Sequence, residues 1–453
     1  MIELIKKQLL KLLKTLKGTY SEYSEIQQYY NQLVTCLSSE MELFSFQRKH
    51  LEKLLSHAYQ NVPFYIKRLN SIVRDCGLSI DDFDKIPLLT KRDVREYGKE
   101  LISKDIGTRK WFYNSSGGST GEPVRFIQDE LFYKWSAASK RIYYENIIGI
   151  DEPAVKKILL WGSERDVFKG TIGFKAKMMN WLANTKFLNS FRMSETDMER
   201  YVKILNSYKP DLIRAYAGSL YELCKFIEKK RIAIHRPKVI VTSAEKLRRE
   251  MREKIESVFG TKVYDFYGSR EVDCIAGECN AGLLHIFTFN SYVEVLNEHN
   301  YSVKEGEIGK IIITTLHNYS MPLIRYEIGD TAVLGPKKCK CGNPLPTLKE
   351  VSGRITDHFI REDKTIIHGE YFTHLFYLKD WINAFQVVQE DYGKIRIFVV
   401  PRGDINECEK REIESKIKFV MGKNCNILWE FVEEIPATHS GKHIYTKSLL
   451  YHT

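Results

Sequence analysis

Between residues 110 and 335, short β-branched runs take turns with helical patterns, and this alternation limits the fold more than any other feature. The runs "KILLWG", "PDLIRAYAG", "PKVIVTSAE", "KVYDFYG" and "GKIIITTL" are strand-like, while "ERYVKILNSY" and "SLYELCKFIEKK" repeat apolar residues at three- and four-residue steps. Such alternation builds an α/β core with largely parallel strands. Upstream, from about residue 20 to 105, stretches such as "QRKHLEKLLSHAYQNVPFY" read as helices. After "VSGRITDHF" the pattern changes to a small α+β unit, with "KIRIFVVP" as its clearest strand and "EKREIESKIKFVMG" as its clearest helix. The expected organisation is a helical part at 1–105, an α/β core at 106–353 and a small α+β domain at 354–453. Its boundary falls near Gly353 to Asp357.

A chain of 453 residues exceeds one core and calls for two or three folding units. Its 43% hydrophobic content, 12% aromatic, excludes wholesale disorder. The 69 basic and 58 acidic residues leave +11, spread along the chain, which favours anionic ligands or an anionic surface. No Lys/Arg run is interleaved with aromatics, so nucleic acid is not an expected partner. Nine cysteines in this length make no disulfide framework, no cleavable leader is evident and no run is long enough to span a bilayer. A cytoplasmic, reduced protein is the expectation. The opening "MIELIKKQLLKLLKTLKGTY" has Ile2, Ile5, Leu9, Leu12, Leu13 and Leu16 at helical spacing among five lysines. Residues 1–17 suit either peripheral contact with an anionic membrane or packing on the protein's own domain or another subunit. Oligomeric state stays open.

The stretch "YNSSGGSTGEPVRF" places three glycines, three serines and a threonine between apolar flanks. Glycine lets backbone N–H groups turn toward an anion, and hydroxyls add donors. It is not the Walker loop, because Glu122 and Pro123 follow Gly121 where Lys would stand. Alone, such a stretch is more often just a flexible loop.

Downstream, in order, come "YDFYGSREVD", "MPLIRYEIGD", "SGRITD" and "IPATHSGK". With these motifs the sequence resembles the adenylate-forming superfamily of acyl-CoA synthetases, and within it the phenylacetate–CoA ligase branch with its capsule-biosynthesis relatives. The openings "LLSHAYQNVPFYIKRL" and "DFDKIPLLTKRDVRE" are similar to that branch, so the likeness covers nearly the whole chain beyond residue 45. The resemblance implies a large N-terminal domain with mixed, largely parallel sheets and a small mobile C-terminal domain. It also implies an ATP-dependent ligase, in which a carboxylate attacks the α-phosphate to give an acyl-adenylate and pyrophosphate.

The resemblance assigns roles to residues. Ser116, Gly117, Gly118, Ser119, Thr120 and Gly121 match the triphosphate loop, although Gly117 and Glu122 depart from the family's frequent Ser and usual Lys. Glu271 matches the carboxylate that coordinates Mg²⁺, a hard ion suited to oxygen ligands. Tyr267 matches the residue beside adenine and the α-phosphate, within the ATP-binding stretch Tyr264, Asp265 and Gly268. Asp330 matches the acid that accepts the ribose hydroxyls, and Arg354 the ribose- and hinge-associated arginine. Ser243, Ala244 and Glu245 would border adenine and the acyl group, while Tyr216, Ala217 and Gly218 would line the acyl pocket. Lys442 matches the mobile lysine that bridges carboxylate and α-phosphate, and Thr356 or Asp357 would serve as the hinge.

Cys279 and His285 in "ECNAGLLH", with Cys339 and Cys341 in "KKCKCGNPLP", form a three-thiolate, one-imidazole set suited to structural Zn²⁺, with Cys274 as a substitute ligand. Similar Cys/His positions recur in the branch. For the second half-reaction the parent family implies CoA as acceptor. The alternatives are CoA-independent acyl or adenylyl transfer to an amine or hydroxyl in surface-polysaccharide or small-molecule assembly. A non-catalytic, membrane-associated scaffold is the alternative class.

Overall fold

Parallel strands need crossovers long enough to hold a helix, and residues 157–265 meet that condition. The computed structural model describes residues 19–74, 77–78, 80–115, 124–162, 180–181, 183–352, 358–376, 379–435 and 445–451. The segment 1–17 lies outside them. Two units are distinguished. One takes in the described residues of Met1–Ser116, Val124–Glu152 and Phe266–Ser352, and the other those of Pro153–Asp265 and Gly353–Thr453.

In the second unit the strands Lys157–Trp161, Thr185–Asn189, Leu212–Tyr216, Val239–Ser243 and the start of Val263–Ser269 pair in parallel throughout. Helices Glu195–Tyr208, Ala217–Lys229 and Arg249–Phe259 make the crossovers. Ser194 and Asp197 form a capping box at the first of these, each satisfying the other's backbone donor. Val239–Ser243 is buried at every position, as a central strand covered on both faces must be. Its core joins Ile213, Ile240 and Val263 to Leu220, Leu223 and Ile255.

The C-terminal part of this unit contains the hairpin His358–Ile360 and Ile366–His368, whose second strand pairs with Arg192–Met193. A four-stranded sheet follows, in the order Asn426–Phe431, Lys394–Pro401, Ile382–Asp391, Thr446–Ser448, with helix Glu407–Met421. The run "KIRIFVVP" is the strand Lys394–Pro401 itself.

The first unit is built differently. Helix Glu40–Asn61 buries Leu43, Leu51, Leu54, Leu55 and Ala58 along one stripe. From Phe266 onward the strands are antiparallel, in the order Ser291–Leu296, Ile308–Thr315, Tyr326–Leu334, Thr347–Ser352, Leu284–Ile286, Asp273–Glu278 and the end of Val263–Ser269. The parallel order expected through residue 335 therefore stops near Ser269. No helix intervenes between Ser269 and Ser352 to carry a crossover, so "GKIIITTL" pairs antiparallel on both sides. A separate hairpin, Trp111–Ser115 with Arg125–Asp129, brackets residues 116–123.

Candidate active site

The strand Val263–Ser269 carries a bulge between Tyr267 and Gly268 in its pairing with Asp273–Glu278. A bulge re-aims the side chains that follow. Gly268 is required there, because a Cβ would collide with the Asp273 carbonyl. Asp273 itself turns the chain with φ of +63°, and its carboxylate is held by Lys140 at 2.7 Å. Between these fixed points sits Glu271, 1% exposed, whose Oε2 meets no hydrogen-bond partner among the described residues. An unpaired carboxylate oxygen in that setting costs on the order of several kcal/mol unless a cation or donor reaches it. That fits a hard metal ion. Tyr267 donates its hydroxyl hydrogen to Asp330 Oδ2 at 2.9 Å, so two residues 63 positions apart are brought together.

In the second unit the strand Leu212–Tyr216 runs into helix Ala217–Lys229, and Val239–Ser243 ends beside it. Ala244 adopts φ of +74°, which an alanine takes at a cost on the order of 1 kcal/mol. The residue after it, Glu245, accepts the Gly218 N–H at 2.6 Å, one of the donors that a helix start leaves unpaired. His368 Nε2 donates to the same Glu245 oxygen at 3.3 Å. His358 lies beside His368 with ring centroids 4.7 Å apart, and a Cβ on Gly218 would strike His358 Cε1. Burial alone would raise the Glu245 carboxyl, but the His368 hydrogen bond and charge, His358 and the Gly218 N–H hold it below its usual value. Burial, with the charge of His368, pushes His358 down to about 3. The structure thus joins Tyr216, Ala217, Gly218, Ser243, Ala244 and Glu245 in one neighbourhood. Tyr264 and Asp265 lie one strand further, opposite Val241 and Thr242. His358 and His368 had no sequence signal of their own. As cross-strand partners of one hairpin they were findable only once that hairpin was seen.

Cys279, His285, Cys339 and Cys341 place their ligand atoms within 4.8 Å of one another. The Cys279 and Cys339 sulfurs are 3.7 Å apart, close to the edge of about 3.8 Å that a tetrahedron with Zn–S bonds near 2.3 Å would have. His285 Nε2 lies 3.1 Å from Cys341 Sγ, while its Nδ1 donates to the Leu345 carbonyl, which leaves Nε2 as the ligand nitrogen. Burial would raise the Cys279 thiol, yet the polar surroundings, His285 foremost with the Leu283 and Ala281 backbone, bring it down to about 6. Cys274 is not part of this set; its thiol faces the Ser136 carbonyl at 3.7 Å. Ser116, Gly117, Gly118, Ser119, Thr120, Gly121, Arg354, Thr356, Asp357 and Lys442 lie outside the described residues.

The family described as CapK C-terminal domain matches residues 359–448. Protein CapK of Staphylococcus aureus is 24% identical over 450 residues, covering 95% of each chain. A phenylacetate-coenzyme A ligase of Pseudomonas putida is 26% identical over 335 residues, 69% of this chain and 72% of its own. The fold is shared with 2-hydroxyisobutyryl-CoA ligase, solved with 2-HIB-AMP and CoA, at TM-score 0.58 and 18% identity, covering 90% of each chain.

Proposed function

We propose that this chain, which carries the fold of the adenylate-forming acyl-CoA synthetases and resembles their phenylacetate–CoA ligase branch, is an AMP-forming carboxylate ligase. It activates a carboxylic acid with ATP as an acyl-adenylate, releases pyrophosphate and passes the acyl group to CoA. The observation that carries this is Glu271, a buried carboxylate with an oxygen left unpaired among the described residues, on the same unit as the Tyr267–Asp330 hydrogen bond.

A carboxylate approaching a polyanion is a poor nucleophile, so the protein must neutralise charge and hold the reactants in line. Mg²⁺ at Glu271 would supply part of that neutralisation. The loop Ser116–Gly121 donates N–H and hydroxyl hydrogens to the triphosphate. Asp330 accepts the ribose hydroxyls, and Tyr267 orients that carboxylate through their hydrogen bond. Arg354 contributes at the ribose, and Lys442 bridges the attacking carboxylate and the α-phosphate. Residues 354–453 would turn about Thr356 or Asp357 between the two half-reactions, releasing the pairing of Ile366–His368 with Arg192–Met193. Cys279, His285, Cys339 and Cys341 would hold Zn²⁺, which would staple the segment after Glu271 to the segment after Asp330.

A second reading concerns the acceptor. The match of residues 359–448 to the CapK C-terminal domain, and coverage of nearly all of CapK, favour transfer without CoA to an amine or hydroxyl in surface-polysaccharide assembly. Residues 1–17 would then serve as a peripheral contact with the cytoplasmic membrane surface. Among the described residues no helix is long and apolar enough to cross a membrane.

Pyrophosphate release with Mg-ATP, across aryl, fatty, amino and sugar acids with and without CoA, tests both readings. A thioester formed only with CoA supports the first, and turnover that ignores CoA supports the second. No release with any acid sinks both. Lys442→Ala is expected to slow adenylation sharply while nucleotide binding persists; equal rates in variant and parent would remove Lys442 from the mechanism. Elemental analysis should find about one Zn²⁺ per chain, and a folded, metal-free preparation counts against the Cys/His site.

A further inference from the structure

The hairpin that brackets residues 116–123 is tied to the peptide carrying Glu271 by one buried side chain. Gln128, 3% exposed, lies on the outgoing strand Arg125–Asp129. Its Nε2 donates to the carbonyl of Arg270 at 2.8 Å and to that of Glu271 at 3.2 Å. Its Oε1 accepts from Asn114 Nδ2 at 3.0 Å, on the incoming strand. Asn114 Oδ1 in turn accepts the N–H of Ser115, the last described residue before the loop. Only one orientation of each carboxamide satisfies this run, because reversing Gln128 would set its oxygen against two carbonyl oxygens.

The outgoing strand does not need Gln128 to stay in place. Asp129 accepts the N–H groups of Phe132, Tyr319 and Ser320, and Asn318 Nδ2 donates to the Ile127 carbonyl. On the far side, the Lys140–Asp273 ion pair and the bond from Val272 N–H to Ser269 Oγ hold the Glu271 turn. With both ends anchored separately, the Gln128 carboxamide adds little to strand stability. What it fixes is the separation between the stem of the loop and the Glu271 backbone.

Resting on the proposed function, we infer that Gln128, assisted by Asn114, is a positioning residue that holds the Glu271 backbone, and with it the carboxylate that would take Mg²⁺, at a fixed distance from the hairpin stem Asn114–Ser115. It touches neither nucleotide nor metal and acts through the two carbonyls it holds. Gln128→Leu keeps the approximate volume but leaves those carbonyls and the Asn114 amide unpaired. Asn114→Ala cuts the run on the loop side and leaves the Glu271 carbonyls bonded.

The test is calorimetric binding of the α,β-methylene analogue of ATP to the full chain, with excess Mg²⁺ and with chelator. Gln128→Leu should weaken Mg²⁺-dependent binding about 10- to 100-fold, the range typical of outer-shell partners, and leave metal-free binding unchanged. Asn114→Ala should move the same ratio in the same direction by less. A merely structural role would lower both affinities together, or neither. Parental Mg²⁺ dependence in Gln128→Leu overturns the inference; if that variant does not fold, parental dependence in Asn114→Ala does so. A parent chain that shows no Mg²⁺-dependent nucleotide binding overturns the proposed function itself, and this inference with it.

Discussion

Glu271 and Glu245 are both buried glutamates that follow a strand, yet their surroundings could hardly differ more. Glu245 is compensated from within the fold: the Gly218 N–H and His368 both reach its Oε1, and His358 stands behind them. Glu271 has its backbone held on both sides while its Oε2 is left without a partner among the described residues. Folding compensates the first charge internally and leaves the second for something from outside. A satisfied buried carboxylate contributes to structure, whereas an unsatisfied one is retained for a ligand.

The sharpest way to break this contrast is to neutralise each carboxylate in turn. Glu271→Gln should lower kcat/KM for pyrophosphate release on the order of 10³-fold, the scale of several kcal/mol of charge stabilisation, with thermal stability equal to the parent or higher. Loss of fold in that variant would erase the distinction. Glu245→Leu should cost about 3 kcal/mol of stability, because Gly218 N–H and His368 lose their acceptor; urea unfolding measures it.

Acid provides a milder probe of the Glu245 site. His358 has its folded value lowered to about 3, so between pH 7 and 5 only the unfolded chain takes up its proton, and stability falls by up to about 2 kcal/mol. Glu245 is ionised in both states over that window; its contribution is lost only as pH drops below the usual carboxylate range. His358→Phe should flatten the loss between pH 7 and 5, as followed by melting temperature against pH, and an unchanged slope would assign the acid sensitivity elsewhere. The smallest expected effect is at the ribose acid. Tyr267→Phe removes one hydrogen bond to Asp330 and should raise KM for ATP about fivefold, or about 1 kcal/mol, with kcat little changed.

Much of this was legible in the residues. Glu271, Tyr267 and Asp330 stand in ordered motifs that carry the family resemblance, and the Cys/His set was read from ligand chemistry together with similar positions in the resembled branch. The strand Lys394–Pro401 announced itself by alternation. The antiparallel run after Ser269 did not, because a strand's local pattern does not name its partners. Nor did Gln128, whose role depends on carbonyls 142 and 143 positions away. His358 and His368 were hidden for a related reason: ten residues apart, they share no helical face and meet only across the hairpin.

The composition of the first unit has a consequence for synthesis. Its core joins Leu51, Leu54 and Leu55 of an early helix to Ile311, Ile324, Leu348 and Val351, encoded far later. A ribosome adding roughly 5–20 residues per second leaves that apolar stripe waiting about 15–60 s for its partners. The segment between them, with its neighbouring strands and helices, can meanwhile collapse largely on itself. Vectorial translation therefore favours assembly from the middle of the chain outward, with the amino-terminal helices in need of shelter until Ser352 has emerged.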